Sequence, residues 1–214
     1  MADIFREVDE ELRRENLEKL WKKHGRTAIG LAVAVVLGVA AAQAWRTYEL
    51  SQRQKLSDRF AEALATASSG DEAAALDALA ELSDPGRGGY RGLAAFEQAR
   101  VLAETGDVEG AIAIWDRIAA NGDLGPGFQA VATLLSVLHQ MDRGDPEALR
   151  QRLAPLAEEG APFRATAREL LALLALREGD RGAARDLYTK IADDREAPSG
   201  LRARATQMLA AIKE

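Results

Sequence analysis

The chain has 214 residues, with 28 Lys and Arg against 34 Asp and Glu, and no cysteine. Without thiols there is no disulfide framework and no thiolate metal site. A net charge of −6 at pH 7 argues against nucleic-acid binding, which needs concentrated Lys and Arg on the phosphates.

The opening segment, residues 1–26, is balanced at seven basic and seven acidic residues. Ile4, Phe5, Val8 and Leu12 recur at helical spacing and predict one apolar face on a helix from about Asp3 to Lys23. Asp3 to Glu11 carries five acids and one Arg, whereas Arg13 to Arg26 carries six bases and two acids. Bases nearest a bilayer suit anionic headgroups. This tail is read as cytoplasmic, its stripe free to dock on a partner or lie on lipid.

From Thr27 to Trp45 the chain carries no charge for 19 residues. As a helix this spans about 28 Å, close to the hydrocarbon thickness of a bilayer, and residues 27–45 are read as a transmembrane helix. Trp21 before it, and Trp45 and Tyr48 at its far end, suit the two headgroup layers. Six Lys and Arg flank the N-terminal side within about 15 residues and four flank the other, which favours a cytoplasmic N-terminus. Ala42-Gln43-Ala44 has the form of a signal-peptidase site, but the charged region before the span is long for a signal peptide. A buried core helix would show a polar face, which this segment lacks. Gly30, Ala34, Gly38 and Ala42 place a small residue at every fourth position, a face on which membrane helices can approach closely.

Residues 46–214 are rich in Ala, Leu, Glu and Arg, a helix-forming composition. They contain a degenerate repeat. Gly-Asp recurs at 70–71, 106–107, 144–145 and 179–180, at intervals of 36, 38 and 35 residues. Five residues after each Gly stands Ala75, Ala111, Leu149 or Ala184. Nine after it stands Leu79, Trp115, Leu153 or Tyr188, and twelve after it Leu82, Ile118, Leu156 or Ile191. A proline follows at 85, 126, 162 or 198. Gly closes one helix in the left-handed region and Asp caps the next. The small residue lets the two helices approach, and the large ones fill the space between them.

Four hairpins are therefore expected, stacked as a solenoid because a single hairpin cannot bury both faces. The first joins the end of the long helix, through about Ser68, to 72–83. The others pair 90–105 with 108–120, 128–142 with 146–158, and 163–178 with 181–193. A helix from Leu201 to Lys213 closes the stack. Gly86 to Gly89 and Gly122 to Gly127 are read as inter-repeat loops. The fold class is all-α, a transmembrane helix followed by this solenoid.

The pattern resembles the tetratricopeptide repeat. Ala111 with Trp115, and Ala184 with Tyr188, occupy the places where that family keeps its small and aromatic residues, while the third unit has Leu149 where Ala is usual. The resemblance implies that the first helix of each hairpin lines a concave groove. Carried over by position, that face holds Phe96, Arg100 and Glu104, then Leu134, Leu138 and Met141, then Glu169, Leu173 and Arg177. Such an apolar groove with charged rims suits an extended or helical peptide.

Nothing in the sequence points to catalysis or to a cofactor. His24 and His139 stand alone, so no metal site is expected. Gly86 to Gly89 lacks a following Lys-Ser/Thr, and there is no Gly-x-Ser-x-Gly elbow.

Over its full length the chain resembles the ancillary SecYEG translocon subunits of Gram-negative inner membranes. The resemblance is carried by Ile4-Phe5-Arg6-Glu7-Val8-Asp9-Glu10-Glu11-Leu12-Arg13-Arg14-Glu15 and by Leu20-Trp21-Lys22-Lys23-His24-Gly25 before the span. It implies a bacterial inner-membrane protein with a periplasmic domain that meets the Sec translocon and periplasmic chaperones and assists newly translocated proteins. Two other readings fit the same residues. One is a regulatory protein whose tail sequesters a cytoplasmic factor; the other is an adaptor for envelope assembly. Oligomeric state is not legible in the sequence.

Overall fold

The computed structural model describes residues 2–83 and 90–212; within the first helix, side chains are described from Lys22 onward, except at 23, 25, 26, 28 and 32. The side chains of the tail stripe (Ile4, Phe5, Val8, Leu12), the loop from Gly86 to Gly89 with Pro85 before it, and Lys213 lie outside the described residues. Among those described, every regular element is helical: α1 Ala2–Ser68, α2 Glu72–Ser83, α3 Arg91–Glu104, α4 Val108–Ala119, α5 Pro126–Gln140, α6 Pro146–Leu153, α7 Arg164–Arg177, α8 Arg181–Asp193 and α9 Ser199–Ala211. Short 3-10 turns cover Gly122–Leu124 and Ala154–Ala157. The chain divides into two compact units, residues 1–55 and 56–214.

Among the described residues, one helical stretch, Ile29–Ser68 of α1, is long and apolar enough to cross a membrane. Within α1, an 18-residue window reaches a mean hydropathy of 1.7 and none of it is buried. Ile29, Leu31, Val35, Val36 and Leu37 are all exposed. Gly30, Ala34, Gly38 and Ala42 are exposed too, and a Cβ built at Gly30 or Gly38 would meet nothing within 4 Å.

The second unit follows from its repeated residues. Each Asp of the Gly-Asp pairs caps the helix after it: Asp71 accepts from Ala74 N at 3.2 Å, Asp107 from Gly110 N at 2.9 Å, Asp145 from Ala148 N at 3.0 Å and Asp180 from Ala183 N at 2.9 Å. An N-cap of this kind is worth about 1 kcal/mol. Gly70, Gly106 and Gly179 take positive φ, closing the preceding helix in the left-handed region. Gly144 does not. Its constraint is close approach, since a Cβ there would stand 3.0 Å from Gln140 O and 3.0 Å from Leu149 Cδ1.

From α2 onward consecutive helices pack on one another, and the core of the described residues falls into four clusters. Ala63 of α1 meets Leu79 and Leu82 of α2 with Ala94 and Val101 of α3. Ala99 of α3 meets Ala111, Trp115 and Ile118 of α4 with Ala132 of α5. Leu134 and Val137 of α5 meet Leu149 and Leu153 of α6 with Leu170 and Leu174 of α7. Ala165 and Ala172 of α7 meet Tyr188 and Ile191 of α8 with Leu201 and Ala205 of α9. In every cluster the second helix of a hairpin lies between the helix before it and the helix after it.

Several helix boundaries differ from the sequence expectation, and prolines stand at them. The helix expected over 146–158 stops at Leu153, because Pro155 has no N–H and its ring clashes with the carbonyl four residues back. Pro126 does not mark an exit: it is the first residue of α5, where its missing N–H costs nothing. α5 accordingly begins two residues earlier than expected, and α9 runs over Ser199–Ala211 with Pro198 as its N-cap residue.

Polar ties join helices within and between repeats. Ser136 of α5 is fully buried and donates to Asp116 of α4 at 2.5 Å, while Arg152 of α6 reaches the same carboxylate at 2.5 Å and Ser136 Oγ at 3.0 Å. Arg164, at the start of α7, grips Asp194 beyond α8 with two bonds of 3.0 and 2.9 Å and also reaches Glu196 at 2.8 Å. This contact, above all, holds the Asp194 carboxyl below its ordinary range. A pKa lowered on folding adds stability that is complete above the unfolded value and is lost as pH falls through the folded one. Asp194→Asn should therefore lower the urea midpoint at pH 7, and the gap to wild type should close as the pH drops below about 3.8. A gap unchanged well below that pH would show that the carboxylate is not the source.

Candidate functional site

Between α3 and α5, over the wall formed by α4, lies a cleft of about 390 Å³. α3 contributes Phe96, Arg100 and Glu104, α4 contributes Trp115, and α5 contributes Leu135 and His139. These residues meet because α3 and α5 both pack on α4, so the outer faces of the two first helices flank the same gap.

The interior is aromatic. Phe96 pairs with Phe128 at 5.8 Å between ring centroids, and Trp115 pairs with His139 at 4.5 Å. Gly92 makes room for the first pair: a Cβ there would stand 3.2 Å from Leu124 Cδ2 and 3.4 Å from Phe128 Cε1. Trp115 is 2% exposed, and its Nε1 has no hydrogen-bond partner. His139 places Nδ1 at 2.9 Å from the carbonyl of Leu135. A carbonyl only accepts, so Nδ1 carries the proton and, in the neutral ring, Nε2 is an acceptor.

The rim is charged. Arg100 donates through Nε to Glu97 at 2.7 Å and through Nη1 to Glu104 at 2.5 Å. The hydrogen bond to Glu97, then that to Glu104, raises the guanidinium pKa above its ordinary value. One cation is thus shared by two carboxylates.

The nine residues expected to line a groove are not all in this cleft. Phe96, Arg100 and Glu104 are. Leu134, only 7% exposed, belongs to the core between α5 and α7, and Leu173 and Met141 pack against that same core. Glu169 is held by Arg204 of α9 in two bonds of 2.9 and 3.0 Å. Arg177 donates to the carbonyls of Met141 at 2.7 Å and Gly144 at 2.9 Å, tying α7 to the turn between α5 and α6. Leu138, 48% exposed, faces solvent. Sequence reasoning left out Glu97, Trp115, Leu135 and His139. Glu97 was legible as a partner of Arg100 at i,i+3. The meeting of Trp115 with His139, on two different helices, had no local signal.

A larger cleft of about 560 Å³ opens between α2, α3 and α4, where Arg91, Gln98, Arg117 and Asn121 line it. Among the described residues, no three His, Asp or Glu side chains are grouped to hold a metal.

A family model described as a tetratricopeptide repeat-like domain matches residues 18–212. Neither the comparison with curated proteins nor that with solved structures gave a match.

The unpaired indole N–H gives a direct stability test. Replacing Trp115 by Phe removes a buried donor together with part of the ring. The relief of the first offsets much of the loss of the second, so the cost should stay below about 1.5 kcal/mol. Trp115→Ala should cost about 3–5 kcal/mol. Urea unfolding of the two variants checks this, and equal costs would mean that Nε1 does have a partner.

Proposed function

The chain belongs to the tetratricopeptide repeat-like domain family, and from that membership we propose that it is a membrane-tethered scaffold that docks protein partners and carries out no catalysis. Residues 1–26 form a cytoplasmic tail, 27–45 cross the bacterial inner membrane, and 46–214 form a periplasmic domain. The partners are the Sec translocon and periplasmic chaperones, which the scaffold brings close to newly translocated chains.

The observation that carries this reading is that, among the described residues, one exposed apolar window in α1 is followed in sequence by packed helical hairpins. Repeat stacks present continuous surfaces for protein contact. Tethering raises the local concentration of such a surface at the bilayer, so weak contacts suffice. The opening segment and Leu20 to Gly25, with their resemblance to ancillary translocon subunits, support the choice of partner.

Photo-crosslinking residues placed at Ala34 in the span and at Leu138 on the exposed face of α5 test the proposal in intact membranes. Adducts with translocon subunits from Ala34 and with a periplasmic chaperone from Leu138 are expected. Recovery of neither class of adduct would overturn the reading.

A further inference from the structure

We infer that the cleft between α3 and α5 takes a cationic peptide, with an aromatic or large aliphatic anchor in the cleft and Lys or Arg on either side of it. This rests on reading the repeat unit as a docking surface for proteins, and it names the chemistry of what docks.

The distribution of charge comes first. Residues 56–143 carry six Arg, no Lys and fourteen Asp or Glu, whereas residues 144–214 carry twelve basic and twelve acidic residues. The whole acidic excess of the repeat unit lies in the half that holds the cleft. Such a field draws a basic segment in and repels an acidic one.

The rim repeats this at short range. Arg100 is already engaged by Glu97 and Glu104, so the three groups together leave one negative charge. An approaching carboxylate meets a neutralised guanidinium. An approaching Lys or Arg meets two carboxylates and, with His139 Nδ1 committed to the Leu135 carbonyl, an imidazole whose other nitrogen accepts.

The interior supplies the third observation. Trp115 is almost fully buried in the wall of the cleft with a donor that nothing in the protein accepts. Trp115 and the His139 ring against it give the cleft an aromatic wall on which an aromatic or large aliphatic side chain packs. A cleft of about 390 Å³ falls within the size of small-ligand sites and accommodates an anchoring side chain.

The test uses the full chain in detergent micelles with Trp21 and Trp45 changed to Phe, so that Trp115 is the single indole reporter. Two synthetic peptides share a central Phe-Leu pair, one flanked by lysines and the other by glutamates. The lysine peptide should change Trp115 fluorescence saturably and bind about tenfold or more tightly than the glutamate peptide at low salt, with the difference shrinking as salt is added. The double variant Glu97→Gln/Glu104→Gln should weaken the lysine peptide by about three- to tenfold. Arg100→Gln, which unmasks both carboxylates, should strengthen it. Opposite signs for these two variants separate recognition from loss of fold, which would move both the same way and would overturn the inference. Equal binding of the two peptides would overturn the cationic partner and leave the docking surface standing. Binding of neither would overturn both. A fluorescence change that depends on protein concentration without peptide would make a second copy of this chain the occupant and would also overturn the inference.

Discussion

The second helix of each hairpin is buried on two sides at once, and the rest of the repeat unit depends on that double burial. Helix α4 shows how it works. Ala111 has no side chain beyond Cβ and is fully buried, so the neighbouring helices come close; Trp115 and Ile118, one and two turns later, fill what remains. Each large side chain buried this way contributes about 1.5–3 kcal/mol. The same face cannot be covered by the partner helix of the hairpin alone, so α4 needs α5 as well as α3, and α6 needs α7 as well as α5. Stability then propagates from neighbour to neighbour along the chain.

The clefts are a by-product of this constraint. α3 and α5 both pack on α4 and touch each other at Phe96 and Phe128, which leaves a gap between their outer faces beyond that pair. Further along the stack the corresponding surface is used for internal ties: Arg177 reaches back to the turn after α5, Glu169 reaches forward to Arg204, and Leu134 is taken into the core. The geometry of one repeat therefore offers a partner more than the geometry of the next, although the sequence pattern of the two is similar.

What was legible in the sequence was what is local. Gly-Asp at a helix junction sets a turn and a cap within four residues, and the four Asp caps are present in the structure. The all-helical fold class followed from the same spacing. Gly144 was read as a fourth left-handed closure, but its role depends on how close Leu149 and Gln140 come, which no pattern reports. Pro155 was in plain view within the expected helix 146–158 and ends it. The cleft was half legible: Phe96, Arg100 and Glu104 lie on one face of one helix at i, i+4 and i+8, a face that the resemblance to the tetratricopeptide repeat implied by position. Trp115, Leu135 and His139 reach it from two other helices, and the network of Asp116, Ser136 and Arg152 spans three. Such meetings are set by packing, not by spacing.

Double burial is tested most directly by hydrogen exchange, followed by mass spectrometry, on the variant Leu153→Ala. Leu153 is fully buried in α6, and its cluster includes residues of α5 and α7. If each second helix is held by its two neighbours, amides of α5, α6 and α7 lose protection together while those of α2 keep theirs. Loss confined to α6, or an equal loss over the whole repeat unit, would contradict the account.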